Sequence, residues 1–285
     1  MAGYWKLLLH VGWVALVLSS ASISSVAADG GAVQLRQLVR DVVNNELRAN
    51  EDDHSHWMYR QRDVEPDKNV VQECVETKDG QICRVLERDG HVLSEQEQQQ
   101  ESAHIQQLIG DPSQLKKKQR QHQDDDHKAA EMIRMLPDGF LYEYDGEEGP
   151  NIRLRFQPNP NFDPPSREAM VFHCMAGTML IDRQAKRLAE MNGKLVRNVD
   201  FGWGLLGRLA KGGTFQVRRR DVGEGHWQNT LVDVHIRGKA LFFKTINADQ
   251  HEVDDNFQRV PNNLTLSQGA SMLQLPNLQA AKAGQ

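Results

Sequence analysis

The sequence has little of several features that would point directly to a function. It contains three cysteines in 285 residues, and its 34 basic residues are outnumbered by 39 acidic ones. The lack of a basic excess argues against a nucleic-acid-binding protein, which needs a positively charged patch or stripe. Hydrophobic residues make up only 39% of the chain, and the mean hydropathy is −0.61. Part of the chain must therefore be unusually polar.

Motifs that carry catalysis or metal binding are also missing. The chain has no HExxH, no CxxC and no G-x-S-x-G pattern. His54 and His56 form the only tight histidine pair, and they lie in a polar linker, whereas a catalytic zinc site needs three protein ligands at a defined geometry. His235 and His251 are isolated in the sequence and give no further signal. We therefore predict no enzyme, no cofactor and no metal site.

Residues 1–28 have the three parts of a secretory signal peptide. Lys6 supplies a positive charge, residues 7–18 are largely apolar, and small residues occupy 25–28 apart from Val26. The apolar run of about a dozen residues is shorter than the ~20 that a spanning helix needs, which favours cleavage over a retained anchor. No cysteine follows the small residues, so a lipid-modified N-terminus has no acceptor.

The mature chain of about 257 residues allows one large domain or two small ones. Because Lys6 is the only charged residue of the signal, the mature chain carries 33 basic and 39 acidic residues. We assign 29–275 to a single domain with a polar helical insertion at about 94–136, and 276–285 to a flexible tail. We expect no transmembrane segment in the mature chain. The protein is expected to be exported, either to the periplasm of a Gram-negative-type bacterium or as a secreted protein.

Cys74 and Cys83 flank a turn signal that contains Asp79 and Gly80. A two-residue Asp-Gly turn would make the cysteines diagonal neighbours at ~7–8 Å, which exceeds comfortable disulfide geometry. A longer loop would bring them opposite each other, so the sequence leaves the bridge open. Cys174 lies in an apolar run, and we interpret it as a buried, inert thiol.

Two stretches have helical patterns. Residues 33–47 carry apolar side chains at helical spacing, which predicts an amphipathic helix that covers a sheet. Residues 94–134 are rich in Gln, Lys, Asp and His, and Ser94 with Glu97 has the form of a capping box. We interpret this stretch as a pair of exposed helices with a break at Pro112.

The remaining chain is dominated by strand-like runs separated by turn residues. An early strand at 57–65 is followed by a hairpin of 69–76 and 81–87, and a short terminal helix is expected at 267–275. Later strands are predicted at 140–144, 152–156, 169–181, 187–191, 194–201, 214–221, 226–236 and 239–246. Many short strands at hairpin spacing indicate an antiparallel sheet or open barrel. The run 169–181 is apolar on both faces and is therefore expected to lie centrally, under the helices.

Glycines interrupt an apolar segment at 200–213. Frequent glycines let the backbone bend sharply or approach another surface closely. Such a segment could line the mouth of a hydrophobic cavity, or it could be a loop that fills the core between two strands.

Three segments carry a resemblance to known proteins: FQPNPNFDPPSREAMVFHCMAGTMLID (156–182), VDFGWGLLGRLAKGGTF (199–215) and GKALFFKTI (238–246). Together they resemble a group of uncharacterised exported bacterial proteins without an assigned activity. More remotely, GTMLID followed by RLAEMNGKL is similar to the outer-membrane lipoprotein-sorting (Lol-type) carriers. The remote resemblance implies a curved antiparallel sheet, helices that close its concave side, and a cavity for acyl chains.

The fold we expect is α+β, with a strongly curved antiparallel sheet (a half-open barrel) and helices packed on one face. The expected function is a non-enzymatic carrier or binding module for a lipid or an acylated protein. The alternative is a structural or protein-interaction module of the envelope that uses the 94–134 helices. The candidate residues for lining the ligand cavity are Phe172, Met175, Phe201, Trp203, Leu205 and Phe243.

Overall fold

The computed structural model describes residues 21–111, 113–201, 207–240 and 244–274. Most of the predicted signal peptide and the whole predicted tail at 276–285 lie outside the described residues. Five helices are described: α1 Ala21–Asp52, α2 Glu95–Gly110, α3 Ser113–Gly139, α4 Arg167–His173 and α5 Leu266–Gln274. No helix in the described ranges is both long enough and apolar enough to cross a membrane.

In the described residues, thirteen strands join in one sheet whose strand pairs are all antiparallel. The first seven are β1 His56–Glu65, β2 Lys68–Thr77, β3 Gly80–Arg88, β4 His91–Val92, β5 Phe140–Glu148, β6 Asn151–Pro158 and β7 Met175–Asp182. The others are β8 Leu188–Leu195, β9 Val199–Phe201, β10 Gly207–Leu209, β11 Thr214–Asp221, β12 Trp227–Ala240 and β13 Lys244–Val260.

The strand order is β4-β3-β2-β1-β13-β12-β11-β8-β7-β6-β5, and the short pair β9 and β10 branches from the end of β12. The N-terminal strands thus pair with the last strand of the chain. The path ends at β4 on one side and at β5 on the other, so the sheet is open. The predicted α+β class with an antiparallel sheet is confirmed at this level.

Two apolar clusters lie on opposite faces of the sheet. The first packs Val39, Val42 and Val43 of α1 against strands β5 to β8. The second packs α2 and α5 against Val75 and Ile82 of β2 and β3. One row of directly opposed residues runs across the sheet on the first side, through Leu154, Met179, Met191, Val217, Val232, Glu252, Asp63 and Val70.

Val75 is five residues from Val70 on the same strand, so its side chain points to the opposite side of the sheet. We call the side with Met179 and Met191 the α1 face, and the side with Val75 and Ile82 the α5 face. The expectation that the helices would pack on one face is therefore wrong. The C-terminal helix α5 has an apolar surface of its own. It buries this surface against the α5 face of the β2–β3 hairpin.

Several predicted elements form as expected. A strand covers 57–65, and two helices cover most of 94–134. Ser94 caps α2 through a complete capping box with Glu97, and the terminal helix α5 is present. The predicted strand at 169–181 is wrong in its first half, where Ser166 accepts a hydrogen bond from the Ala169 N–H and caps the short helix α4.

Candidate functional site

The layer between α1 and the sheet is the candidate site, because it contains large, adaptable apolar side chains. Met175, Met179 and Met191 are buried there, together with Phe140 and Phe156. The rings of Phe140 and Phe156 meet edge to face, with centroids 5.2 Å apart. Methionine is flexible and polarizable, and surfaces that bind varied apolar partners use it often.

Three of the predicted cavity residues lie in this layer. Met175 is buried in its core, whereas Phe172 and Phe201 pack against it half-buried. The Phe172 ring contacts Phe140, with centroids 5.3 Å apart, and lies 6.3 Å from Phe215. The structure thus brings these three predicted residues into one apolar cluster. Trp203, Leu205 and Phe243 lie outside the described residues.

One end of α1 is fastened to the sheet by a buried ion pair. Glu46 accepts two hydrogen bonds of 2.9 Å from the Arg187 guanidinium and one of 2.8 Å from the Leu188 N–H. Arg219 also donates to this carboxylate. Burial alone would raise the pKa of Glu46, but the Arg187 hydrogen bond and the two arginine charges outweigh it and lower the pKa. The ion pair therefore stays charged at neutral pH.

Most of the other polar contacts that fasten α1 are exposed, although Arg36 Nε donates a part-buried hydrogen bond of 2.9 Å to the Pro137 carbonyl. Asn45 donates to the Lys186 carbonyl at 3.2 Å, and Lys186 ion-pairs with Asp41 at 3.1 Å. In the middle of the helix, Arg36 and Arg40 both pair with Asp138 of α3. Exposed ion pairs contribute little to stability. The apolar contacts and the Glu46 pair thus dominate the attachment of α1.

The α1 face carries buried carboxylates where β1 meets β13. Asp63 is directly opposite Glu252, and Asp254 is one diagonal step away. Burial, followed by the Glu252 charge, raises the pKa of Asp254 to about 7. Burial and then the Asp63 charge raise the pKa of Glu252 as well. Lys68 pairs with Asp63 and offsets part of this negative charge.

A second polar cluster joins the end of α1 to the first strand. The Nδ1 atom of His226 lies 3.0 Å from Asp53 Oδ2 and 3.3 Å from Ser55 Oγ. Its Nε2 atom lies 2.8 Å from a nitrogen of Arg259. Because arginine can only donate, Nε2 is the acceptor and the ring proton lies on Nδ1. No ring lone pair faces Ser55, so this serine–histidine–aspartate set is not arranged to activate a nucleophile.

Glu76 lies next to that cluster and accepts a 2.9 Å hydrogen bond from the Trp57 N–H. Burial raises the pKa of Glu76 to about 7, against the lowering effect of that hydrogen bond, and the Asp53 charge adds to the rise. The cluster is therefore a structural junction with one carboxyl group that titrates near neutrality.

The two histidines that looked isolated in the sequence lie on the α5 face, and both contact Asp233. His235 Nδ1 is 2.6 Å from Asp249 Oδ1, and His251 Nδ1 is 2.7 Å from Asp233 Oδ1. The pairing of β12 with β13 places these four side chains next to one another. Predicting this arrangement requires the register of the two strands, which cannot be deduced from the sequence. Within the described ranges, no three or more His, Cys, Asp or Glu side chains are grouped to hold a metal ion.

Cys74 and Cys83 form a disulfide and are directly opposite each other on β2 and β3. The diagonal register expected from an Asp-Gly turn is wrong, because the two-residue turn lies one position earlier in the chain and pairs Cys74 with Cys83 instead of Val85. Thr77 pairs with Gly80, so the loop residues are Lys78 and Asp79. Gly80 has φ of 126°, a value that glycine adopts without strain, and it can therefore begin the returning strand. Cys174 is a buried free thiol, and Arg197 Nε donates to its Sγ at 3.1 Å.

No family model matches the chain, and neither a curated protein nor a solved structure matches it. The resemblances to exported bacterial proteins and to lipoprotein-sorting carriers therefore stay predictions. The function has to be argued from the residues and the geometry above.

Proposed function

We propose that the protein is an exported, non-enzymatic carrier for an acyl chain, presented by a lipid or by an acylated protein. In this proposal the sheet curves around the α1 layer as a half-open barrel, and α1 with α3 acts as a lid. The acyl chain would enter between the lid and the sheet. The described arrangement would then be the closed, empty form.

The observation that carries the proposal is the methionine- and phenylalanine-rich layer under α1. Met175, Met179 and Met191 have side chains that can move aside and re-form contacts with a guest chain. Burying apolar surface at ~25 cal/mol per Å² would supply the affinity. The disulfide also agrees with export, because such bonds persist in oxidising compartments.

The lid can open because its fastening is local. Apart from its apolar contacts, α1 depends mainly on the Glu46 carboxylate, which binds Arg187 and the Leu188 N–H. Removing one partner of a buried ion pair costs about 3–5 kcal/mol. A variant at this position should therefore raise the fraction of open molecules without touching the apolar layer.

The test is uptake of a fluorescent fatty acid, 11-(dansylamino)undecanoic acid, by the delipidated mature protein. Saturable uptake with one probe per chain is expected, and phosphatidylglycerol from vesicles should compete and appear as a bound lipid in native mass spectrometry. The variant E46Q should take up the probe about tenfold faster or more, since a smaller opening free energy populates the open form.

The matched control is D41N, which removes the exposed Lys186 pair from the same helix. It should leave the uptake rate unchanged. A wild-type protein that binds neither the probe nor lipid would rule out the carrier. Equal rates for E46Q and D41N would instead rule out α1 as the lid.

A further inference from the structure

A cavity of about 370 Å³ opens between β1, β2, β3 and β13, away from the α1 layer. Its volume lies in the lower part of the range of about 300–1,000 Å³ that is typical of small-molecule sites. The lining includes apolar side chains (Met58, Leu86), two side chains of opposite charge (Arg60, Glu73) and two amides (Asn256, Gln258). Tyr59 and Phe257, whose rings stack at 5.3 Å, complete it.

Two irregularities in the ladder create this cavity. In the pairing of β1 with β13 the register shifts between Met58 and Arg60 of β1, and Asn256 in the resulting bulge on β13 has φ of 55°. On β3 a second shift leaves Leu86 as the extra residue opposite Val71 and Gln72. Bulges disrupt the ladder locally and are common next to binding sites. Asparagine accepts a left-handed conformation more readily than most residues.

Of the two charged residues at the cavity, Arg60 has an ion-pair partner and Glu73 has none among the described residues. Arg60 and Glu73 are directly opposite on neighbouring strands, but Arg60 ion-pairs with Glu87 at 3.1 Å. In the part of the chain that the structure describes, the Glu73 carboxylate makes no hydrogen bond and no ion pair. Burial raises the pKa of Glu73, although the charges of Arg60 and Arg84 oppose the rise. The Glu73 carboxylate therefore has free hydrogen-bond acceptors, which an ammonium group in the cavity could fill.

We propose that this cavity binds a free amino acid with an apolar side chain. Its ammonium group would pair with Glu73 and its carboxylate with Arg60, two side chains that start from directly opposite positions. Its side chain would contact Met58 and Leu86. An amino acid carries its two charges on groups attached to one carbon, which suits a carboxylate and a guanidinium that face each other across two strands. This site is separate from the proposed acyl site.

The test is isothermal titration calorimetry of the full mature protein with L-phenylalanine. Saturable binding is expected, and each of the variants E73Q and R60Q should weaken it about tenfold or more, since each removes a charge-assisted hydrogen bond. The control R62Q changes an exposed arginine two residues along the same strand face and should leave the affinity within about twofold. Circular dichroism of each variant checks that the fold is intact.

Two analogues test the ligand class. Phenethylamine lacks the carboxylate and 3-phenylpropionate lacks the ammonium, so both should bind at least about tenfold more weakly than L-phenylalanine. The proposal is overturned if wild-type protein does not bind L-phenylalanine, if either analogue binds equally well, or if R62Q weakens binding as much as E73Q.

Discussion

Asp63 and Asp254 are buried on neighbouring strands, and each keeps one carboxylate oxygen without a hydrogen-bond partner. Because Asp254 has a pKa of about 7, it binds a proton more tightly in the folded chain than in the unfolded chain, where the value is 3.8. A protonated Asp254 stabilises the fold at low pH. That contribution is lost as the pH rises from about 4 to about 7, at up to ~1.4 kcal/mol per pH unit.

The variant D254N should therefore reduce this loss of stability with rising pH. Its amide stays neutral, so D254N is expected to be more stable than wild type at pH 8, by about 1–3 kcal/mol. Chemical denaturation between pH 4 and pH 8 measures the difference. D255N, at an exposed position on the other face, serves as the control; the Asp255 charge raises the pKa of Asp254 less than burial and the Glu252 charge do, so D255N should follow the wild-type curve closely. A D254N curve parallel to wild type would contradict the assignment.

Strands β7 and β8 leave no room for a side chain at Gly177. It is directly opposite Gly193, and a Cβ atom at Gly177 would lie 1.9 Å from the Asn192 carbonyl oxygen. The backbone would have to shift. We expect G177A to lower the free energy of unfolding by at least about 2 kcal/mol.

G110A is the matched glycine replacement, because nothing lies within 4 Å of a Cβ atom at that position. It should leave stability unchanged or raise it by up to about 1 kcal/mol, since alanine favours a helix over glycine. Thermal unfolding of both variants makes the comparison. Equal melting temperatures would show that β7 and β8 can separate to accept the methyl group.

At the scale of elements, the β2–β3 hairpin is joined by the disulfide between Cys74 and Cys83, which are nine residues apart. Closing so short a loop restricts the unfolded chain only moderately. The double variant C74A/C83A should therefore lose about 2–3 kcal/mol of stability. Urea unfolding with and without a thiol reductant measures it: the reductant should destabilise wild type and leave the double variant unchanged. A reductant effect of equal size on both proteins would show that the effect does not come from this disulfide.

Elements that are marked by residues close together in the sequence could be predicted. Features that depend on which strands pair, and in which register, could not. The capping box of Ser94 and Glu97 and the turn residues near Asp79 are short-range signals, and both lead to real elements. The hairpin register could not be predicted, because it depends on Gly80 lying just after the turn, where it adopts a positive φ. Residues 169–181 were misjudged because an apolar run fits a short buried helix as well as a buried strand.

The candidate site was predictable to a similar degree. Phe172, Met175 and Phe201 come together because apolar residues of neighbouring elements share a core. The bulge cavity and the His235 and His251 ladder depend on the pairing of β13 with β1 and β12. Most of β13 was not foreseen, because residues 247–260 are largely polar and have no clear alternation. Tertiary pairing forms that strand despite its weak local preference.

At the scale of the molecule, one sheet supports two helical layers on opposite faces at opposite ends. The α1 layer covers β5 to β8, and α5 covers the β2–β3 hairpin. Strand β13, which lies between them, carries polar and charged side chains on both faces, such as Glu252 and His251. Because the buried apolar residues form two separate clusters, each layer should be able to loosen without the other.

Leu273 tests this independence, because it is 1% exposed and packs in the α5 layer. L273A should cost about 2–5 kcal/mol, the usual range for a buried leucine. Hydrogen exchange should then accelerate in α5, β2 and β3 and stay slow in β5 to β8. V43A, in the α1 layer, should have the reverse pattern. If both variants accelerate exchange evenly across the sheet, the layers unfold as one unit, and an α1 lid could not open without disrupting the α5 layer.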